Sequence, residues 1–221
     1  MTRVRATMRL GVLAALTAVG AAAGDAAGQS AMGVKAGANL ATLAGADDSG
    51  SLTGLTAGAY LGFGIGDRLA VQLEALYSVR GGTGLTIGAN ALDPAAAPSD
   101  VQLSYVEVPL LLRAGYPGER LLASLFLGPY VGFLLSCRLT QPDGAEGDCD
   151  DEARASWFSP RGTEYGLVVG GGLDWAIGES TIFVDLRYAL GLTPIQAGDD
   201  AMDLRNQGLT IAGGFAIPLG R

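Results

Sequence analysis

Between Val71 and Arg80 the chain reads VQLEALYSVR, and its side chains change character at every second residue. Val71, Leu73, Ala75, Tyr77 and Val79 alternate with Gln72, Glu74, Ser78 and Arg80, and only Leu76 is out of step. A period of two places successive side chains on opposite faces of a β-strand. Which of the two faces meets water decides what such a chain can become. The same period recurs in eight segments: Gly33 to Leu40, Leu55 to Ile65, Leu69 to Arg80, Val101 to Ala114, Leu121 to Leu135, Thr163 to Ile177, Thr181 to Leu190, and Gly208 to Leu219. Their lengths match the roughly 9 residues or more that a tilted strand needs to cross hydrocarbon.

The connections between these segments are uneven. Gly66-Asp67-Arg68, Pro117-Gly118-Glu119-Arg120 and Gly178-Glu179-Ser180 are short turns after the second, fourth and sixth segments. After the first, third, fifth and seventh, the chain runs through long polar stretches. Successive antiparallel strands put alternate connections at opposite ends, so the short turns share one rim and the long loops the other. Short periplasmic turns and long external loops are the pattern of a transmembrane barrel, and an even strand number returns both termini to the periplasmic side. The expectation is an all-β, eight-stranded, antiparallel, up-and-down transmembrane β-barrel. An open sheet edge cannot persist in hydrocarbon, so the first strand must pair with the eighth.

Apolar faces then point to lipid. Val106, Val108, Leu110 and Leu112 oppose Glu107 and Arg113; Tyr165, Leu167, Val169, Leu173 and Trp175 oppose Glu164 and Asp174; Ile182, Val184, Leu186, Tyr188 and Leu190 oppose Asp185 and Arg187. The polar faces are rich in Gly, Ser and Ala and poor in charge, whereas a soluble surface is about 25–35% charged. They suit a tight interior lined by small residues and paired charges. The expected lumen network is Lys35, Glu74, Arg80, Glu107, Arg113, Glu164, Asp174, Asp185 and Arg187. Eight strands leave room for side chains only, which excludes a general pore. Among the aromatics, Tyr60, Tyr77, Tyr105, Tyr116, Tyr130, Trp157, Tyr165, Trp175 and Tyr188 divide between interfacial girdles and ordinary packing.

The amino terminus follows different rules. In MTRVRATMRLGVLAALTAVGAAAG three arginines precede an apolar run and small residues, the pattern of a secretory signal peptide over residues 1–28, leaving residues 29–221 as the barrel domain. The 221-residue chain carries a net charge of -8. Loss of Arg3, Arg5, Arg9 and Asp25 with the signal leaves 11 basic and 21 acidic residues, a net of -10. An acidic chain without a basic tract does not suit nucleic acid. Glycine, at 35 residues, is costly inside helices and speaks against a helical fold.

Catalysis has little to work with. There is no histidine, so no Ser-His-Asp site exists, and the inward carboxylates are expected to pair with the inward cations. No cofactor or metal is expected, and the Gly170-Gly171-Gly172 run lacks the following helix of a phosphate loop. Cys137 and Cys149 bracket the segment RLTQPDGAEGD in the longest loop and read as a disulfide in an exported chain. Asp143, Glu146, Asp148, Asp150, Asp151 and Glu152 cluster there without the glycine placement of a calcium-binding loop, and are read as solvated.

The segments GVKAGAN from Gly33, SYVEVPLLLRAGY from Ser104, LGPYVGFL from Leu127 and GLVVGGGLDW from Gly166 occur in order across the mature chain. With them the sequence resembles the PorT-like outer-membrane β-barrel domain family. That resemblance implies an eight-stranded barrel in the bacterial outer membrane and carries no activity of its own; one branch of the family is associated with secretion and gliding machinery. The reading is therefore a structural, adhesive or partner-docking barrel, not an enzyme, monomeric, in contact with lipid and lipopolysaccharide and meeting any envelope protein through its loops. The alternative is a soluble periplasmic barrel resembling a lipocalin, which needs apolar side chains inside and a hydrated exterior.

Overall fold

The computed structural model describes residues 30–46, 49–85, 99–117, 121–149, 158, 160–197 and 203–219. The expected signal segment lies outside them. Nine strands are present among the described residues: β1 (Ser30–Ala44), β2 (Gly50–Ile65), β3 (Leu69–Leu85), β4 (Ser99–Pro117), β5 (Leu121–Thr140), β6 (Glu146–Asp148), β7 (Thr163–Ile177), β8 (Ser180–Gly191) and β9 (Arg205–Leu219). Eight long strands pair antiparallel in the order β4-β3-β2-β1-β9-β8-β7-β5, and β4 pairs with β5 to close the ring. The closure of first strand on last runs from Ser30↔Leu219 to Ala44↔Arg205. Among the described residues every long strand of the wall is paired on both sides, as hydrocarbon requires.

The short β6 folds back on the end of β5, pairing Arg138↔Asp148 and Thr140↔Glu146. This corrects the expected loop. Cys137 lies on a strand, and the β5–β6 hairpin occupies part of what reads as an unstructured connection. The first external connection is also shorter than expected, because β1 and β2 continue to Ala44 and Gly50. Small residues such as Ala41, Ala44 and Gly54 blunt the alternation there, so the sequence reads as a loop where the chain stays paired.

The two faces divide as the period of two demands. Leu125, Val169 and Ile211 are 65, 57 and 57% exposed on the outside, whereas Glu74 and Asp185 on the inside are 1 and 0% exposed. Leu76 is buried on the lumen face, where a β-carbon at Gly58 would meet its side chain. Its break in the pattern is one apolar filler among polar neighbours. On β7 the outward aromatics Tyr165 and Trp175 bracket Leu167, Val169, Gly171 and Leu173. Their separation is about 33 Å along the strand at ~3.3 Å per residue, or about 25 Å of height at a tilt of about 40°, the height of a hydrocarbon band flanked by aromatic girdles. Tyr77, Tyr116 and Tyr188 also face outward, whereas Tyr105 and Tyr130 are buried inside. Trp157 lies outside the described residues.

A midband charge tests the orientation. Val169→Arg is expected to destabilise the barrel by about 2–4 kcal/mol. Urea unfolding in lipid vesicles measures it; an unchanged midpoint would mean that water, not lipid, bathes this face.

Candidate functional site

The lumen is organised as two polar chambers under an apolar cap. In the lower chamber, Glu74 of β3 accepts from Lys35 Nζ at 2.7 Å, from Arg187 Nη1 at 2.7 Å and from Gln72 at 2.6 Å. Asp185 accepts from the same Lys35 at 2.8 Å and from Arg187 at 3.2 Å. Arg113 reaches Asp174 at 3.0 Å, Asp185 at 3.4 Å, and the Ser124 hydroxyl at 2.9 Å. Three cations meet three carboxylates. Burying charges is costly unless their remaining hydrogen bonds are met, and here Glu74 and Asp185 each accept from several donors while the less buried Asp174 accepts from Arg113.

Aromatic rings face the cations. Lys35 Nζ stands 5.2 Å from the Tyr60 ring and 5.4 Å from Phe183; Arg113 and Arg187 lie 5.5 and 5.3 Å from Phe126. Such contacts add cation–π attraction where water is excluded. The glycine run has its place here as well. A β-carbon at Gly170 would press on the Phe126 ring, and one at Gly172 would come within 2.7 Å of Arg113 Nη2, so inward glycines clear room for the ion network.

The upper chamber is smaller. Arg80 pairs with Glu107, donating from Nη2 at 2.9 Å, and lies 5.3 Å from the Tyr130 ring. Glu107 and Glu164 flank Gly132 in the strand register, on β4 and β7 with β5 between them. Glu164 accepts from the Tyr130 hydroxyl and from Asn206 Nδ2, which also donates to the Tyr105 hydroxyl at 3.3 Å. Asn206, Tyr60, Tyr105, Phe126, Tyr130 and Phe183 were not foreseen as partners of the charges. Tyr105 shares the parity of Glu107 on β4 and Phe183 that of Asp185 on β8, a signal that could have found them; β2, β5 and β9 carry no inward ion to count from.

Above these chambers the lining turns apolar. Leu43, Leu85, Val101, Leu103 and Leu139 point inward, and Phe158, Ile195 and Leu204 descend on them from the outer connections. Backbone bonds stitch the cap: Arg161 N donates to Ile195 O at 2.6 Å, and Ile195 N to Leu204 O at 2.8 Å. Two irregularities deliver the lining. A register shift near Leu135 changes the inward positions of β5 from Tyr130, Gly132 and Leu134 to Cys137 and Leu139, and another beyond Gly82 turns Leu85 inward on β3.

The Cys137–Cys149 disulfide is formed and belongs to this apolar cluster, with both sulfur-bearing residues buried. Among the acidic residues of the loop, Asp143 accepts from its own turn at Ala145 N and Glu146 lies 3.7 Å from Arg138. Asp150, Asp151 and Glu152 lie outside the described residues.

Comparison with known proteins gives a consistent fold. A family model described as outer membrane protein beta-barrel domain matches residues 22–197. The outer membrane protein OprG from Pseudomonas aeruginosa is similar at a TM-score of 0.50 and 13% identity, over 90% of this chain and 99% of that one. Neisserial surface protein A (NspA) is similar at a TM-score of 0.47 and 16% identity, over 86 and 99%. Ail, the attachment invasion locus protein of Yersinia pestis, crystallised with the heparin analogue sucrose octasulfate, is similar at 0.44 and 14%, over 86 and 99%. No curated protein matches.

Proposed function

The chain belongs to the outer membrane protein β-barrel domain family, and on that premise we propose that it is a sealed barrel whose work is done by its capped outer end, as an adhesive or partner-docking platform. It resides in the bacterial outer membrane. The soluble, ligand-enclosing alternative is not favoured: it needs its apolar side chains inside, and across the band between Tyr165 and Trp175 they are outside.

The observation that carries this reading is the cap. Phe158, Ile195 and Leu204 are fully packed against the wall, so among the described residues the lumen is closed at its outer end by a folded cap. A solute has no apolar-to-polar route through such a stopper. The lumen network serves in this reading as filling that holds the wall strands together, without catalysis. The finer assignment is a PorT-like barrel, exported through a signal over residues 1–28, acting as a monomer beside lipopolysaccharide, with an envelope protein as the partner of its loops.

Two measurements test it together. Purified protein in a planar bilayer should show no stepwise conductance. A photo-cross-linking residue at the exposed Asp143 should give discrete protein adducts on intact cells, whereas the same residue at Val169 should give only lipid adducts. Large conductance would reject the sealed lumen, and identical adducts at the two positions would reject docking by the outer end.

A further inference from the structure

Among the described residues the lumen holds four cations, Lys35, Arg80, Arg113 and Arg187, against five carboxylates, Glu74, Glu107, Glu164, Asp174 and Asp185. The contacts identify the unmatched one. Glu74, Asp174 and Asp185 share Lys35, Arg113 and Arg187, and Glu107 holds Arg80. Among the described residues the hydrogen-bond donors to Glu164 are neutral, the Tyr130 hydroxyl and the Asn206 amide. It is nonetheless buried, and a carboxylate without a counter-charge is strongly disfavoured away from water.

A second observation sits beside it. Asn206 has no exposed surface, and its Oδ1 has no hydrogen-bond donor among the described residues. The chamber thus combines one unmatched carboxylate with one unmatched amide oxygen, on side chains already bonded to each other. Glycines stand beside them in the wall. A β-carbon at Gly191 would lie 3.0 Å from Glu164 Oε1, and one at Gly132 would lie 3.8 Å from Glu164 Cβ and 3.9 Å from Glu107 Cγ.

We propose that the Glu164 chamber is a binding site for one small positive charge, a proton or an alkali cation, held by Glu164 and Asn206. The groups facing it are Tyr130 on β5, Tyr105 and Glu107 on β4, Arg80 on β3 and Asn206 on β9. Arg80 also faces Glu164, but its ion pair is with Glu107, so the two carboxylates of this chamber share one cation. A singly charged guest balances the count of five against four. The site lies at the joint between wall and cap, since Asn206 is two residues from Leu204 and Tyr105 belongs to the cap's apolar cluster. Occupancy therefore stabilises the closed outer end. This holds whether or not that end docks a partner.

The test is thermal unfolding of the full barrel in detergent, over a pH series at constant ionic strength and, at fixed pH, in NaCl, KCl or N-methylglucamine chloride. If the guest is a proton, Tm is highest at low pH and falls as pH rises past the point where Glu164 ionises in the folded state. If it is an alkali cation, Tm at fixed pH rises with Na⁺ or K⁺ over the bulky ammonium. In either arm Glu164→Gln should fold and respond less than wild type, whereas Glu146→Gln, at the surface, should respond as wild type does. The proposal is overturned by a wild type that responds to neither variable, or by Glu164→Gln responding as wild type does. A Glu164→Gln chain that cannot fold also overturns it, because the uncharged isostere leaves four carboxylates against four cations and needs no guest.

Discussion

Glu74→Gln is expected to lower the stability of the folded barrel by about 3–5 kcal/mol, the cost of removing one partner from a buried ion pair. The substitution keeps the shape of the side chain and removes its charge. Lys35 and Arg187 both bond Glu74 at 2.7 Å, and all three side chains are nearly free of solvent. After the change, Lys35, Arg113 and Arg187 would share only Asp174 and Asp185, and the new amide group would present a donor where three donors already converge. The excess cation has no water to retreat to. Combining Glu74→Gln with Lys35→Met restores the charge count, so the double variant should recover part of the loss; the recovery measures the coupling between the two positions. By contrast, Glu146→Gln alters an exposed pair with Arg138 and should change stability by no more than about 0.5 kcal/mol. Urea titrations read by heat-modifiable gel mobility distinguish these outcomes. A Glu74→Gln midpoint equal to wild type would remove the network from any account of what holds the wall together.

The parts legible in the sequence are those where a period of two runs unbroken. VQLEALYSVR assigns Glu74 and Arg80 to one face without knowledge of any neighbour, because the strand geometry alone does so. The uneven connections then fix which rim is which, and the need to satisfy backbone groups in hydrocarbon closes the ring. Pairing is harder to read. That Lys35 of β1 bonds Asp185 of β8 depends on the register of β9 lying between them, which no local pattern encodes. The cap is harder still. At Leu135 and beyond Gly82 an irregularity shifts the count by one, so Cys137, Leu139 and Leu85 change face relative to the preceding turns of the pattern. A reader counting by twos places them in solvent or in a loop. Phe158, Ile195 and Leu204 lie in short apolar patches of otherwise polar stretches, and only the three-dimensional approach of two separate connections makes them a core.

Phe158→Ala is expected to loosen the cap by about 3–5 kcal/mol, the usual cost of deleting a large buried aromatic. Phe158 is fully buried in the cluster that also holds Leu103, Ile195, Leu204 and both cysteines, assembled from loop and wall. The chambers below rest on ion pairs contributed by the long strands and do not include it. Loss should therefore be local to the outer end, with the lipid-facing band left paired. Reduction of Cys137–Cys149 reports on this directly, because Cys149 is 1% exposed and a reductant must wait for the cap to open. At about 1.4 kcal/mol per factor of ten, the opening population and hence the reduction rate by dithiothreitol should rise at least about 100-fold in Phe158→Ala. Val169→Arg, placed on the lipid face, should leave that rate close to wild type while lowering the unfolding midpoint. The two variants thus separate a folded extracellular lid from the membrane wall beneath it. Equal reduction rates in wild type and Phe158→Ala would mean that the ring of Phe158 does not hold the outer end shut, and the sealed platform would lose its physical basis.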